Sequence, residues 1–510
     1  MDKKFYVTTP IYYPSANFHI GHCYTTVIAD AIARYKRLMG YDVFYLTGAD
    51  EHGQKIQKKA CETGISPQEY VDEIVSDAKD LWKRLNISYD KFIRTTDQQH
   101  VVCVQKIFKK LYDQGDIYKG QYKGLYCTPC ESFWTETQLV DGRCPDCGRE
   151  VIEVSEEAYF LRLSKYQDKL IEYYNSNPDF IEPKSRKNEM LNNFIKPGLE
   201  DLCVSRTSFD WGIPVSFDEK HVVYVWIDAL SNYLSALGYL TEEDTLFRKY
   251  WPCDLHIVGK EIMRFHTIVW PIILMALNLP LPKKVFGHGW LVVDGDKISK
   301  SLGNYKDPRE YIDKYGVDAV RYFILREVSF GSDGLFSESA LINRTNSDLA
   351  NILGNLVNRT IGMINKYFDG VVENKGVLDK ELDNKLINEA TSLKDKVHEY
   401  MDNLEISKAV DTIFELLRSC NKYIDDTMPW ILAKDENNHD RLSTILYNLL
   451  ECIRIVTVLL KAFIPETADK IFHQINTQNT AYDSISNFGG YESYNKVNKA
   501  EVLFQRIETK

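Results

Sequence analysis

Short apolar runs alternate with amphipathic stretches along the first 112 residues of the chain. Runs of aromatic and β-branched residues predict strands, whereas apolar positions three and four residues apart predict helices. The predicted strands are 5–9, 43–46 and 92–94, and the predicted helices are 21–39, 67–85 and 101–112. Strands that alternate with helices pair in parallel, so this pattern predicts an α/β domain whose sheet is covered on both faces.

Between about residues 114 and 222 the alternation gives way to aromatic residues, glycine, cysteine and short strand-like pieces. It returns with predicted strands at 224–226, 254–258 and 285–286 and a predicted helix at 262–277. The segment between is therefore expected to be an insertion that splits the sheet domain. Ligands of parallel sheets bind beyond the carboxyl ends of the strands, and residues 10–22 and 48–53 fall there.

A polar loop around residues 297–306 precedes predicted helices at 308–315 and 317–325. From about residue 339 apolar side chains recur at helical spacing, as in the stripe of residues 349, 352, 353, 356 and 357. Such stripes are typical of a helical bundle. We expect five segments, namely sheet residues 1–113, an insertion at 114–222, sheet residues 223–290, a loop-bearing region at 291–345 and a helical domain at 346–510.

Composition narrows the class of protein. A formal charge of −11 excludes a wholly basic nucleic-acid binder, but local basic patches are enough for phosphate contacts. The eleven cysteines, four clustered and seven scattered, favour a reducing compartment over a disulfide framework. The longest apolar stretch, 268–277, contains Pro271 and is too short to span a bilayer. The chain begins without a signal-peptide pattern, so we expect a cytoplasmic protein with no membrane partner.

Two motifs in this order point to a nucleotide polyphosphate. His19-Ile20-Gly21-His22 lies between a predicted strand and a predicted helix. Its two imidazoles therefore meet the positive end of a helix, which attracts phosphate, and Gly21 leaves room for a flat base. The string 297–301 (KISKS) offers two ammonium groups and two hydroxyls on a polar loop. Such a loop can close on phosphates, so the two motifs together predict the halves of an ATP site.

A cysteine cluster in the insertion predicts a metal site. Cys127-x-x-Cys130 and Cys144-x-x-Cys147 are separated by thirteen residues, which suits one zinc ion held by four thiolates. Four protein ligands saturate a tetrahedral ion, so we expect a structural zinc. Residues 124, 142 and 148 are glycines expected to supply tight turns. Incidental cysteines or a redox pair are the alternatives, and the duplicated spacing argues against both.

The two ATP motifs resemble those of the class I aminoacyl-tRNA synthetases. Segments 8–13 (TTPIYY), 47–53 (TGADEHG), 224–229 (YVWIDA) and 259–261 (GKE) narrow the resemblance to the bacterial type of the methionyl-tRNA synthetase family, over about residues 4–470. The resemblance implies a Rossmann-type catalytic domain split by a zinc-knuckle insertion and followed by an α-helical anticodon-binding domain. It also implies a ligase that activates L-methionine with ATP and transfers it to tRNA(Met), including the initiator.

This resemblance assigns the ATP site. The catalytic groups are His19 and His22 at the phosphates and Lys297 and Lys300 at the leaving pyrophosphate, with Lys300 having the larger effect. No protein nucleophile is needed, because positioning and charge stabilisation suffice when the methionine carboxylate attacks the α-phosphate. Mg²⁺ is expected to accompany ATP. Further ATP-binding residues are Gly21, Ser299, Glu261 at the ribose, where the family more often has Asp, and His288 near adenine.

The amino-acid pocket is also implied by the resemblance. Asp50 is assigned to the ammonium group, and Arg206 is a candidate partner for Asp50. Aromatic edges and hydroxyl or imidazole donors suit a polarizable thioether. Without the resemblance, Asp50 reads as a turn or cap residue and the aromatic residues as core. The implied methionine-binding residues are Ile11, Tyr13, Asp50, Trp226, Ala229, Leu230, Tyr233 and His266.

Three residues of the helical region are implied to read the anticodon CAU. Asn355 and Arg359 lie four apart on one predicted helix face, and Trp430 follows Pro429 at the start of another helical stretch. Aromatic stacking and side chains on base edges are the usual means of reading RNA loops. The alternative is that Asn355 and Arg359 are solvated and Trp430 packs inside the bundle.

Three other classes remain to be weighed. A nucleotidylyltransferase shares the His-x-Gly-His site, but its short core has no use for a zinc insertion or a long helical end. A non-catalytic RNA-binding or scaffold protein descended from a synthetase should have lost motif residues. Synthetases for Leu, Ile and Val carry a larger insertion than the roughly 110 residues between 114 and 222, and segments 47–53 and 224–229 fit methionine better than cysteine. The chain of 510 residues is expected to act as a monomer.

Overall fold

The computed structural model describes residues 3–130, 132–134, 136–293, 296–297 and 307–508. The chain forms two compact units. The first comprises Met1–Ala29, Asp42–Lys83 and Ser88–Trp290, and the second comprises Asp30–Tyr41, Arg84–Ile87 and Leu291–Lys510.

Strands and helices alternate along the first unit. Its strands are β1 Lys4–Tyr12, β2 Asp42–Ala49, β3 Lys91–Arg94, β4 Ile117–Cys127, β5 Ser132–Trp134, β6 Ile152–Leu161, β7 Ile181–Glu182, β8 Leu202–Cys203, β9 Ser205–Arg206, β10 Val222–Val223, β11 Leu255–Gly259 and β12 Val285–His288. The helices that begin before residue 290 are α1 Ile20–Leu38, α2 Gln54–Thr63, α3 Pro67–Arg84, α4 Gln98–Asp113, α5 Gln167–Ser176, α6 Lys184–Glu189, α7 Val225–Ser235, α8 Thr245–Tyr250 and α9 Trp270–Ala276.

A six-stranded sheet in the order β3-β2-β1-β11-β12-β7 organises this unit, and all its pairings are parallel. The predicted α/β class and its parallel sheet are therefore confirmed. Buried apolar side chains from the sheet strands, α4, α7 and α9 form one large core cluster. This core holds the sheet against its helices and leaves the carboxyl ends of the strands to carry polar residues.

One predicted strand is wrong. Residues 224–226 were expected to form a sheet strand, but Trp226 lies in α7, and the strand there is β10, which ends at Val223 and pairs antiparallel with β9. The local run is apolar and β-branched, and periodicity alone does not separate a short buried strand from the start of a buried helix. The predicted helix 262–277 is present as a π-helical turn at Phe265–Val269 that leads into α9.

The segment between α4 and β10 contains a second sheet. Its antiparallel strand order is β5-β4-β6-β8, which agrees with the aromatic, strand-like composition noted above. The short strand β7 also comes from this segment, but it pairs in parallel with β12 at the edge of the main sheet. Residues 181–182 therefore complete the central sheet from within the predicted insertion.

The second unit is mainly helical. It contains the strands β13 Leu291–Val293, β14 Asp296–Lys297 and β15 Gly334–Phe336. Its helices are α10 Pro308–Tyr315, α11 Val317–Glu327, α12 Glu338–Arg344, α13 Asn355–Phe368, α14 Leu382–Asp402, α15 Ile406–Thr427, α16 Pro429–Leu432, α17 His439–Leu460 and α18 Pro465–Ile475. A π-helical turn at Thr345–Gly354 joins α12 to α13, and the predicted helical domain is confirmed.

Helix α17 is the centre of the helical unit. The segment Glu436–Leu460 is long and apolar enough to cross a membrane by length and composition, but its apolar window is wholly buried within the protein. The same helix carries a buried ion pair, in which Arg454 donates to both carboxylate oxygens of Glu451 at 2.8 Å. A core helix of a globular bundle explains both features.

The carboxylate of Glu451 also organises the polar segment that follows α18. It accepts the backbone N–H groups of Gly489, Gly490 and Tyr491 at 2.8 to 3.0 Å. Arg454 in turn donates to the carbonyl oxygens of Asn479 and Ser484. Because every oxygen of the buried carboxylate is paired, the charge is tolerated and the segment is held on the bundle.

Replacing Glu451 by alanine is therefore expected to lower the free energy of unfolding by about 3–5 kcal/mol, because it leaves Arg454 buried and uncompensated. Urea unfolding of the whole chain measures the loss. Glu405→Ala removes another i,i+3 partner, of Lys408, at an exposed site, and should leave the unfolding midpoint nearly unchanged. Equal losses in the two variants would contradict a special role for the buried pair.

Candidate active site and metal centre

The predicted site residues of the first unit lie at one edge of the central sheet, where its parallel strands have their carboxyl ends. Strand β1 leads to Tyr13, β2 to Asp50, β11 to Glu261 and β12 ends at His288. The register pairs Thr8 with both Leu46 and His256, so these ends lie side by side. Residues distant in sequence are thus placed along the edge at which open α/β sheets bind their ligands.

The first motif stands at the start of α1. The Nδ1 atom of His19 accepts the backbone N–H of Gly21, and Nδ1 of His22 accepts that of His19, both at 3.1 Å. The two ring centroids are 4.1 Å apart, and His22 stacks on Phe18. Because both Nδ1 atoms act as acceptors, a neutral ring carries its proton on Nε2. The backbone therefore sets both imidazoles as Nε2–H donors at the positive end of a helix.

The second motif is described only in part. The backbone of Lys297 pairs with Val292 in the antiparallel β13–β14 ladder. Ser299, Lys300 and Ser301 lie outside the described residues.

Two further candidates for the ATP site lie at neighbouring strand ends. Glu261 follows β11 and accepts the indole N–H of Trp290 at 2.8 Å, and a Cβ at Gly259 would meet its carboxylate within 2.5 Å. His288 is buried, and its Nδ1 donates to the carbonyl of Gly289 at 2.7 Å, which leaves Nε2 to accept the hydroxyl of Thr25 at 2.8 Å. Burial lowers the pKa of His288, so a neutral imidazole ties β12 to α1.

Three of the predicted pocket residues come together between α7 and the turn before α9, where the rings of Trp226 and Tyr233 lie 6.5 and 5.8 Å from that of His266. Leu230 and Tyr233 belong to the apolar core of the unit, and Ile11 and Trp226 pack against that core. Ala229 lies on the same helix and is buried. Trp226 stacks on Phe265 with the ring centroids 3.6 Å apart. Outside this cluster, Tyr13 follows β1 and lies beneath the ammonium group of Lys55.

Two polar side chains sit inside this apolar surface. The Nδ1 of His266 donates to the carbonyl of Ile262 at 3.0 Å, so its Nε2 accepts the Tyr233 hydroxyl at 2.8 Å. Burial lowers the pKa of His266 to about 4. Behind them, Trp270 donates to Nε2 of His256, whose Nδ1 bonds the hydroxyl of Thr8 at 2.7 Å. Both imidazoles are therefore uncharged at neutral pH, which suits their burial among apolar side chains.

Asp50 is buried directly after β2, and its backbone N–H bonds the carbonyl of Tyr12 at 2.9 Å. Arg206, which we considered as its partner, forms an ion pair with Glu156 and stacks over Tyr126. Glu51, the residue after Asp50, is fully buried, and its carboxylate accepts a bidentate pair of hydrogen bonds from Arg94 at 2.6 and 3.0 Å. The loop that carries Asp50 is therefore rigidly supported.

The four predicted metal ligands converge. The sulfur atoms of Cys127, Cys130, Cys144 and Cys147 lie within 4.8 Å of one another. The Cys127–Cys147 and Cys130–Cys144 distances are 3.5 and 3.9 Å. These exceed a disulfide bond and are close to the edge of about 3.8 Å that a tetrahedron with 2.3 Å metal–sulfur bonds requires. The cluster therefore fits a four-thiolate metal centre.

Two of the three predicted turn glycines are confirmed near this cluster. Gly142 and Gly148 have φ of 73° and 68°, a backbone conformation that favours glycine. The prediction for Gly124 is wrong, because it pairs with Val154 inside β4.

One residue beside the metal centre was missed by the sequence analysis. The guanidinium of Arg264 lies over the rings of Trp134 and Phe265, at 4.4 and 4.5 Å. Trp134 packs against the cysteines, and Phe265 stacks on Trp226. Arg264 therefore bridges the cysteine cluster and the stacked rings of Phe265 and Trp226, and no local signal in the sequence marks such a bridge.

The predicted anticodon residues lie on the surface of the helical unit. Asn355 and Arg359 are exposed on α13, and Arg359 reaches Asp425 near the end of α15 at 3.4 Å. Trp430 is 40% exposed in α16, next to the exposed Met428 and Ile431. The alternative of a Trp430 packed inside the bundle is therefore wrong, and an exposed aromatic surface is present.

Comparisons with known proteins identify the family of this chain. Residues 5–153 and 149–361 match a family model described as tRNA synthetases class I (M), and residues 374–510 match one described as the anticodon binding domain of methionyl tRNA ligase. The first match covers the split sheet, the histidine motif and the cysteine cluster. The chain thus belongs to the class I tRNA synthetases.

Individual relatives narrow the class. The chain is 63% identical over 506 residues to a methionine–tRNA ligase of Clostridium acetobutylicum, covering 99% of this chain and 78% of that protein. It is 55% identical over 521 residues to that of Bacillus subtilis, with 99% and 78% covered. The crystal structure of Mycobacterium tuberculosis methionyl-tRNA synthetase bound by methionyl-adenylate superposes with a TM-score of 0.95 at 41% identity, covering 99% and 100%. The chain belongs to the methionyl-tRNA synthetase family, whose members are methionine–tRNA ligases.

Proposed function

We propose that the site at the strand ends adenylates L-methionine with ATP and that the methionyl group then passes to the 3′ end of tRNA(Met), including the initiator. The observation that carries the proposal is the pair of backbone-oriented imidazoles, His19 and His22, at the start of α1. Their Nε2–H groups suit phosphate oxygens at a helix end that already favours negative charge. The adenylate bound in the mycobacterial relative supports this assignment.

In the ATP half, Gly21 lies under the base and Glu261 accepts bonds from the ribose hydroxyls. His288 acts at adenine through its ring face, since both its nitrogens bond protein atoms. Lys297, Ser299 and Lys300 bind the leaving pyrophosphate. Mg²⁺ bound with ATP would neutralise phosphate charge.

In the methionine half, Asp50 accepts the ammonium group, and the side chain enters the apolar cluster of α7. The pocket is composed of Ile11, Tyr13, Trp226, Ala229, Leu230, Tyr233 and His266. The methionine carboxylate then attacks the α-phosphate, the bond to the β-phosphate oxygen breaks, and pyrophosphate leaves. Because the protein supplies no nucleophile, its contribution is orientation and charge stabilisation.

Pyrophosphate exchange into ATP, measured without tRNA and with each standard amino acid in turn, tests this half. We expect exchange with methionine alone. Lys300→Ala should lower kcat by about a hundredfold or more, with the methionine KM nearly unchanged, because its charge is needed where negative charge develops.

Exchange with a different amino acid would support the adenylation reaction but contradict the assignment of the pocket to methionine. No exchange with any amino acid would favour the scaffold class. A raised KM with unaltered kcat in Lys300→Ala would contradict its role in the transition state.

We also propose that Asn355, Arg359 and Trp430 read the anticodon CAU. The exposed ring of Trp430 supports stacking on a base, and the contact of Arg359 with Asp425 brings α13 toward the end of α15. Side chains on base edges would then supply the specificity.

Trp430→Ala should lower kcat/KM for aminoacylation of tRNA by about tenfold to a hundredfold, because base stacking contributes roughly 1–3 kcal/mol. Pyrophosphate exchange should be unaffected. Ile431→Ala truncates the exposed neighbour and is the matched control. Equal losses in both variants, or unchanged tRNA kinetics in Trp430→Ala, would contradict stacking.

For the cysteine cluster we propose one structural zinc ion held by Cys127, Cys130, Cys144 and Cys147. The sulfur distances and the packing of Trp134 against the cysteines support a closed site. When bound, the ion would tie β4 and β5 to the 144–147 turn.

We expect one zinc per chain, with four sulfur ligands at about 2.3 Å in X-ray absorption. Cys144→Ser should lose the metal, whereas Cys61→Ser, at an exposed cysteine outside the cluster, should keep it. Fewer than four sulfur ligands, or full zinc content in Cys144→Ser, would contradict the assignment.

We further propose that the five predicted segments are the functional domains, with 1–113 and 223–290 forming the catalytic halves, 114–222 the zinc insertion, 291–345 the lysine-loop region and 346–510 the anticodon domain. The activity is assigned to a cytoplasmic monomer. The seven cysteines outside the cluster form no disulfide, which supports a reducing compartment.

A further inference from the structure

A buried carboxylate on α7 connects the two parts of the proposed methionine site. Asp228 is fully buried and lies between Trp226 and Ala229 in sequence. Its Oδ2 accepts Nδ1–H of His52, and its Oδ1 accepts Nε2–H of His100, both at 2.7 Å. His52 is two residues after Asp50, so the carboxylate joins the pocket helix directly to the loop that carries the ammonium-binding residue.

His100 anchors the same carboxylate from a third element. It lies on α4, and its Nδ1 bonds the hydroxyl of Ser235, at the end of α7, at 2.7 Å. The contacts of Asp228 and Ser235 with His100 therefore hold α7 at two points seven residues apart. Because these two contacts fix the position of α7, Asp228 can in turn fix the position of the loop that carries Asp50.

The loop 50–53 is held residue by residue. The N–H of Asp50 bonds Tyr12, and the N–H of Gly53 bonds the carbonyl of Trp211. Glu51 bonds Arg94 through its carboxylate and Trp211 through its carbonyl. These contacts attach the loop to β1, to β3 and to the chain before β10. The His52–Asp228 bond attaches it to α7.

The negative charge of Asp228 strengthens its hydrogen bonds to His52 and His100. Burial raises the pKa of Asp228, but the two imidazoles outweigh it and hold the pKa below its usual value. A buried ionised carboxylate persists only where its oxygens are paired, and here each oxygen has an imidazole donor. Charge-assisted bonds of this kind are shorter and stronger than neutral ones.

We propose that Asp228 is a positioning residue that acts through His52 to hold the Asp50 carboxylate at the distance from the pocket helix at which it meets the ammonium group of methionine. The inference rests on the proposed function, because it takes Asp50 as the ammonium ligand. Methionine spans both segments, with its side chain against α7 and its ammonium at the loop. Releasing the loop should therefore weaken the ammonium contact and spare the side-chain contacts.

The test uses two variants of the full chain, His52→Phe and Asp228→Ala. His52→Phe keeps a ring against Trp211 and removes the donor. In pyrophosphate exchange, each should raise the methionine KM by about tenfold to a hundredfold, because small misplacements of a binding group are costly, while kcat changes little. The inhibition constant of the desamino analogue of methionine, which lacks the ammonium, should be nearly unchanged.

The double variant His52→Phe/Asp228→Ala shows whether the two residues act through their shared hydrogen bond or affect methionine binding independently. If the two residues act through their shared bond, its KM should match that of the more affected single variant. His221→Phe is the matched control, since His221 is likewise a buried histidine beside a carboxylate, bonds Ser205 and lies 3.7 Å from Asp218. It should leave the methionine KM unchanged.

The contrary outcomes are distinct. Equal weakening of methionine and its desamino analogue would mean that Asp228 supports the whole pocket, and an unchanged KM would mean that it positions nothing; either overturns the inference. If Asp228→Ala does not fold, His52→Phe alone decides. Asp50→Asn separates the two proposals. If Asp50→Asn still prefers methionine over the desamino analogue, the assignment of Asp50 to the ammonium group is wrong. If Asp50→Asn loses this preference and His52→Phe keeps it, only the positioning role of Asp228 is refuted.

Discussion

Parallel pairing of β1 with both β2 and β11 is the constraint on which the catalytic unit depends. In a parallel sheet all strands end at the same edge, so residues that follow them become neighbours whatever their separation in sequence. Tyr13, Asp50, Glu261 and His288 lie along one edge of the sheet for this reason. The insertion between α4 and β10 does not disturb the arrangement, since the strand β7 that it contributes pairs at the far edge, beside β12.

Both units bury charges, and in each case complete pairing makes the burial tolerable. Asp228 is matched by two imidazoles, and Glu451 by Arg454 and three backbone N–H groups. Within the helical unit Arg321 pairs with Asp30 and donates to the carbonyls of Leu85 and Phe463. These groups join segments that are far apart in the chain, which apolar contacts alone would specify less sharply.

The apolar part of the proposed methionine pocket differs from these centres because its polar groups, His266 and Tyr233, are neutral. Nδ1 of His266 donates to a backbone carbonyl, and its Nε2 accepts from Tyr233, so the environment selects one tautomer and lowers the pKa of the ring to about 4. A pocket that contains oriented dipoles but no charge can accept a weakly polar sulfur and still discourage charged side chains. Specificity of this kind depends on which nitrogen of each imidazole ring carries the proton.

The sequence by itself determined the elements with strong periodicity, the α/β class and the four-cysteine centre, because each rests on local spacing that few other arrangements share. It placed the histidine motif at a helix start for the same reason. Only the tertiary structure decided that Trp226 belongs to a helix, that Gly124 lies in a strand and that the polar residues 477–491 wrap around Glu451. It alone brought His52, His100 and Asp228 together. Short apolar runs are ambiguous, and a buried polar contact depends on partners whose distance along the chain carries no local signal.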